Sequence, residues 1–157
     1  MQFLKGIAVI LLCMVAPSLL ADDCPVSTSP RALFSGVDRL TTERFEPENG
    51  KYSASFSNGD SVTARFSLCG LGVHASYLVE QESEDLTEQI RFFLMHVSPS
   101  ENSVTALTSQ VAMYSAEDFR SGITLQSANG KHRVQVKKSP SPLYSQVIHY
   151  RWIPPEH

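Results

Sequence analysis

The sequence predicts an α+β domain: an antiparallel sheet of about six to eight strands, built from hairpins and packed against one main helix. Three observations carry that expectation. Asn58-Gly59 and Asn129-Gly130 each sit between runs that alternate apolar and polar residues, the strongest short-range signal for paired antiparallel strands. Val73, Ala75, Tyr77 and Val79 repeat the period of two with no turn residue inside the run. Between the two Asn-Gly units, Val104, Leu107 and Val111 recur at helical spacing and offer an apolar stripe to cover the sheet.

The chain opens on a pattern for export. Lys5 gives a positive start, residues 6–15 form an apolar run, and Ala16-Pro17-Ser18 or Leu19-Leu20-Ala21 offers a cleavage site. The apolar run is too short to span a bilayer and Pro17 interrupts it, so residues 1–21 read as a signal peptide and residues 22–157 as a single α+β domain. Asp22-Asp23 precede Cys24, where a lipoprotein signal places small uncharged residues, so a soluble exported product is expected, periplasmic or secreted. Cys13 leaves with the signal. Cys24 and Cys69 remain, and in an oxidising compartment an even pair reads as a disulfide. It would close a loop of about 45 residues, worth roughly 4 kcal/mol on the chain-entropy argument.

From Asp22 onward there are 12 Lys and Arg against 16 Asp and Glu, a net charge of −4. The imbalance is uneven: residues 22–101 hold 13 acids and 6 bases, residues 102–157 hold 3 acids and 6 bases. Net negative charge and export together argue against a nucleic-acid partner.

Taken in order, Ser29-Pro30 suits the cap and first position of a short helix that Gly36 ends. A strand is expected over residues 37–45, then a turn at Pro47-Glu48-Asn49-Gly50. The first hairpin follows, with Tyr52, Ala54 and Phe56 before Asn58-Gly59 and Val62, Ala64, Phe66 and Leu68 after it on one face. Val73, Ala75, Tyr77 and Val79 make one face of a third strand. His74, Ser76, Leu78 and Glu80 make the other.

Leu86–Val97 is ambiguous. Leu86, Ile90, Phe93, Leu94 and Val97 form a helical stripe, yet Ile90, Phe92 and Leu94 also alternate with Phe93, Met95 and Val97. Ser98-Pro99-Ser100-Glu101 combines a capping serine, proline at the first helical position and glutamate three residues after the cap. A helix starting at Pro99 would leave no linker behind another helix, so residues 88–97 are expected as a central strand. The main helix is expected over residues 99–114, burying Val104, Leu107 and Val111, with Tyr114 at its margin. Ile123, Leu125, Ser127, His132, Val134 and Val136 then flank Asn129-Gly130 in a second hairpin. Tyr144, Gln146, Ile148, Tyr150 and Trp152 form the outer set of a last strand, opposite Val147 and His149.

Few patterns carry chemistry. Gly70-Leu71-Gly72-Val73-His74-Ala75 matches a dinucleotide fingerprint, but that mechanism needs a helix to open there, and the alternation after it is that of a strand. His74, His96, His132, His149 and His157 lack the close spacing of metal ligands. No nucleophile-elbow or S-x-x-K motif occurs, and acid pairs such as Glu82/Glu84 and Glu117/Asp118 have nothing that places them in a cleft. No cofactor, metal or catalytic residue is expected.

The densest charge feature is Glu80, Glu82, Glu84, Asp85 and Glu88, the expected partner-binding loop, with a basic enzyme as the fitting partner. Lys131, His132, Arg133, Lys137 and Lys138 form a smaller basic counterpart suited to an anionic surface. The function expected is therefore an exported binding protein acting by surface complementarity, as an inhibitor of a cell-wall hydrolase or an immunity protein against a toxin. Two alternatives stand beside it. One is a carrier of a small or lipid-like ligand among Phe56, Phe66, Tyr77, Phe92, Phe93 and Tyr114; the other is a hydrolase.

Overall fold

A computed structural model describes residues 32–66, 72–81 and 85–155. Ten elements follow in chain order: strands β1 (Leu40–Glu46), β2 (Lys51–Phe56), β3 (Ser61–Phe66) and β4 (Val73–Val79), helices α1 (Leu86–Val97), α2 (Glu101–Val111) and α3 (Ala116–Ser121), and strands β5 (Ile123–Ser127), β6 (Gly130–Lys138) and β7 (Gln146–Ile153). The strands form one antiparallel sheet in the order β1-β2-β3-β4-β7-β6-β5. The first four make a meander. The three helices then carry the chain across one face to the far edge, and β5, β6 and β7 return to pair with β4. The class is α+β, as the alternation predicts, but the helical layer holds two sizeable helices and a short one rather than a single main helix.

Period two fixes which side chains meet that layer. Tyr52, Ala54, Val62, Ala64, Val73, Ala75, Tyr77, Val79, Val134, Ile148, Tyr150 and Trp152 are buried in one cluster with Ile90, Phe93, Leu94, Val97, Leu107, Val111 and Phe119 from the helices. The alternate strand residues face the other way, onto a sheet face that none of the described helices covers. At one end of that face the segment before β7 folds back: Ser145 N–H donates to the Val79 carbonyl, and Ser61 Oγ donates to the Tyr144 hydroxyl at 3.2 Å. Val147 is buried at that end.

Several expectations need correcting. Leu86–Val97 is a helix, not a strand. Asp85 caps it by accepting from the Glu88 N–H at 2.9 Å, and Asp85-Leu86-Thr87-Glu88 is itself the acid-cap pattern of a helix start. The linker argument fails because α2 starts later than residue 99. Proline disfavours helical geometry in the residue before it, and Ser98 is extended as the C-cap of α1. The cap of α2 is Ser100, accepting from the Ser103 N–H, so 98–100 is the linker. α2 ends at Val111 and leaves Val104 half-buried, with Ser103 taking its place inside. Ser115 then opens α3 through a capping box with Asp118.

The first strand begins at Leu40 rather than residue 37, after a turn in which Gly36 is left-handed at φ 84°. The set of β7 expected to face outward faces the core instead, with Ile148, Tyr150 and Trp152 buried. In the second hairpin the two loop residues are Ala128 and Asn129, because Ser127 pairs with Gly130. Gly130 (φ 123°) is needed inside β6: a Cβ there would lie 2.3 Å from the Ile153 carbonyl oxygen. Cys24, Cys69, Glu82, Glu84 and the first two residues of the dinucleotide-like pattern lie outside the described residues. The rest of that pattern enters β4, a strand.

Candidate functional site

The uncovered sheet face is where unexplained charge collects. Register alone builds the arrangement: Lys51 pairs with Arg65, Arg65 with His74, His74 with Arg151, and Arg151 with Arg133. Five basic side chains thus stand in one transverse row over β2, β3, β4, β7 and β6, spanning roughly 19 Å at about 4.8 Å per strand. All five are exposed. Glu46 opposite Lys51 and Thr124 opposite Arg133 end the row. Among the described residues the ion pairs are Arg44–Glu46 at 3.4 Å and Arg91–Glu88 at 3.0 Å, and neither engages any of the five. Like charges directly opposite one another on a sheet destabilise it. This row holds two such contacts between permanent charges, Lys51–Arg65 and Arg151–Arg133, with His74 between them.

The next row is polar: Ser53, Thr63, Ser76, His149 and Gln135. Ser76 Oγ and His149 Nδ1 are 3.2 Å apart. Between the two rows lies a depression of about 150 Å³, lined by His74, Ser76, Arg133, Gln135, His149 and Arg151, with Ala75 and Tyr150 at its floor. No carboxylate lines it. Desolvation, followed by the charge of Arg151, holds the His74 pKa below its ordinary value. Desolvation and then Lys137 do the same to His149. The surroundings of both rings are electropositive, which disfavours a second positive charge and favours an anion.

The acidic loop is organised differently. Glu80 N–H donates to buried Asp60, which also accepts from the Tyr77 hydroxyl and from Asn58 Nδ2 at 2.8 Å. Asp85 is occupied in capping α1, and Glu88 is paired with Arg91. Asp85 and Glu88 border a wide groove of about 470 Å³ with Arg39, Asn58, Gln81, Gln89 and Phe92. Arg39 lies 4.2 Å over the Phe92 ring and offsets their charge. Of the five acids expected to meet a basic partner, three are described: Asp85 and Glu88 are engaged within their own fold, and the Glu80 side chain is exposed.

The smaller basic patch is also rearranged. Lys131, Arg133 and Lys137 are exposed, but His132 is fully buried, because on β6 it shares a face with Val134 and Val136. Its Nε2 is 2.8 Å from Ser127 Oγ and its Nδ1 is 2.9 Å from the Tyr150 hydroxyl. Ser127 Oγ continues to Ser103 Oγ at 3.1 Å, and Asn129 Nδ2 reaches Ser100 Oγ, so the network ties the start of α2 to the second hairpin. A serine beside a histidine invites a nucleophile reading. Burial, however, lowers this imidazole to about 4, and so weak a base gains little from taking a hydroxyl proton near neutrality.

Five of the six aromatics considered as a cavity lining pack against other rings, and Phe66 is partly buried against the core cluster. Phe56, Tyr77 and Phe92 have ring centroids 6.0–6.4 Å apart, Tyr77 lies 5.5 Å from Phe93, and Tyr114 packs on Phe119. Among the described residues no cluster of three or more His, Cys, Asp or Glu is placed to hold a metal ion, and no helix is long and apolar enough to cross a membrane.

Sequence reasoning singled out Arg133 and missed Lys51, Arg65, His74, His149 and Arg151 as a group. The signal was there in the polar positions of each alternating strand, but only the strand order brings those positions side by side. Comparison with family models, curated proteins and solved structures finds no match to this chain.

Proposed function

We propose that this chain is an exported binding protein of the inhibitor or immunity type. It works by surface complementarity, and its contact surface is the uncovered sheet face, docked on an acidic partner. The observation that carries the reading is the row Lys51–Arg65–His74–Arg151–Arg133, which places bases on five adjacent strands, with Glu46 facing Lys51 at one end and no carboxylate in register with the other four. Antiparallel sheets commonly leave one face to water, but solvation alone does not call for five aligned bases. A partner that supplied acids would convert the repulsion within the row into attraction and speed the encounter. The sign of the partner is therefore opposite to the one the acidic loop suggests.

Site-specific photo-crosslinking tests this reading. A crosslinker at Thr63, in the polar row beside Arg65, is expected to trap a partner in the exported compartment, and reversal of Arg65 and Lys51 to glutamate to abolish the adduct. A crosslinker at Gln89, in the acidic groove, is the comparison. Adducts that form at Gln89 and not at Thr63, or adducts that survive the charge reversal, would overturn the assignment.

A further inference from the structure

We propose that the depression over β4, β7 and β6 is a binding site for one tetrahedral oxyanion, a sulfate or a phosphate-ester group, held by Arg133 and Arg151. The inference rests on the reading of this face as an anion-contact surface and makes one part of it specific.

The depression differs from the rest of the row. Arg133 and Arg151 are direct cross-strand partners, which puts two guanidinium-bearing side chains on neighbouring strands of one face, and both line the depression. Each carries a planar fork of donors matched to oxyanions. His74 stands on the other side of Arg151, in register with it. His149 comes from the adjacent row, and its Nδ1 is within hydrogen-bond distance of Ser76 Oγ. When that hydroxyl donates to Nδ1, the neutral ring carries its proton on Nε2 and presents a donor. Gln135 also lines the depression, its Nε2 donating to the Arg120 carbonyl at 3.3 Å. At about 150 Å³ the space exceeds several waters at about 30 Å³ each, enough for an oxyanion that keeps part of its hydration. Every charged group lining it is a donor, and none is an acceptor-only carboxylate that would repel the ligand.

The histidines make binding depend on pH. His74 faces Arg65 from β3 and Arg151 from β7. His149 faces Ser76 from β4 and Gln135, with Lys137 nearby, from β6. A bound dianion favours the protonated form of both rings, so by linkage affinity rises as pH falls through their titration, below the ordinary histidine value. Sulfate keeps its two charges through this range and isolates the effect.

The test is titration of the full chain with sulfate, followed by backbone amide NMR at low chloride. Saturable shifts confined to β4, β6 and β7 are expected, with affinity rising between about pH 8 and about pH 5. Arg151→Met is expected to weaken binding about tenfold or more, and His74→Asn with His149→Asn to flatten the pH dependence. Inorganic phosphate at about pH 8, where it is also a dianion, is the second arm: tighter binding than sulfate assigns the site to phosphate esters, and the reverse to sulfate esters. Shifts that never saturate, or that spread equally to Lys51 and Arg65, overturn the site. If they do so while the Thr63 crosslink still forms, the macromolecular reading stands and only the oxyanion site fails.

Discussion

Lowering the pH from 7 to about 4 is expected to weaken the fold through one residue, His132. The imidazole is fully buried between Ser127 and Tyr150, and desolvation lowers its pKa from 6.5 to about 4. In the unfolded chain the same ring takes up a proton below its ordinary value. Between the two values the unfolded state therefore holds one more proton than the folded state, and stability falls as pH falls. The contribution is complete above about pH 6.5 and is lost by about pH 4, at roughly 1.4 kcal/mol per pH unit, or about 3 kcal/mol in total. Urea unfolding of the wild type and of His132→Gln across this window measures it. Glutamine keeps a donor and an acceptor but does not titrate. The variant is expected to start about 1–3 kcal/mol less stable at pH 7, where its amide replaces the ring imperfectly, and to lose less on acidification, so that the two curves converge. The exposed His74 and His149 are present in both proteins and drop out of the difference. Parallel curves, or an NMR titration of His132 with its midpoint near 6.5, would refute the reasoning.

Four further substitutions have expected outcomes. Gly130→Ala is expected to cost about 1–3 kcal/mol or more in thermal or urea unfolding, since the residue combines positive φ with backbone contact to Ile153. Gly36→Ala, also at positive φ but with open space around it, is expected to cost only about 1–2 kcal/mol. Ser100→Ala removes the cap of α2 and an acceptor for Asn129; a loss of about 1–2 kcal/mol is expected by denaturant titration. Arg151→Thr is expected to stabilise the protein by about 0.2–1 kcal/mol at pH 7 and low ionic strength, because it relieves repulsion with Arg133. That gain is expected to vanish near 1 M salt, where screening acts over about 3 Å, and a loss of stability at low salt would show that the row is not strained.

The sheet was legible because alternation is a local signal. Each strand from β2 onward shows which residues go inside, and both Asn-Gly pairs mark a chain reversal. Leu86–Val97 misled because Phe92 and Phe93 let one run satisfy both periods. The capping acid Asp85 was the discriminating residue, and its place within an acidic cluster drew the eye to charge instead. Pro99 and Glu101 complete a cap pattern on Ser98, yet Ser100 is the residue whose Oγ accepts from the Ser103 N–H. His132 was placed among lysines and arginines by sequence proximity, although its even spacing with Val134 and Val136 already assigned it to the core. The basic row was the least legible feature. β4 and β7 are separated by three helices and two strands, and nothing local states that His74 and Arg151 stand in register.

Each strand of this protein therefore carries two independent messages, and the uncovered one is electrostatic. Net charge conceals it. The whole chain is formally −3, but Asp85, Glu88, Glu101, Glu117 and Asp118 belong to the helices and their caps, which pack against the opposite face. Packed layers lie about 10 Å apart, and the Debye length at about 0.15 M salt is near 8 Å. An anion arriving at the sheet is thus screened from the helix-borne acids while it feels Arg65, His74, Arg151 and Arg133 directly. A helix on that face would bury these side chains; leaving the face bare keeps them in reach. The bare face and the aligned charges are two separate features of the chain, and the proposed contact with an anion accounts for both.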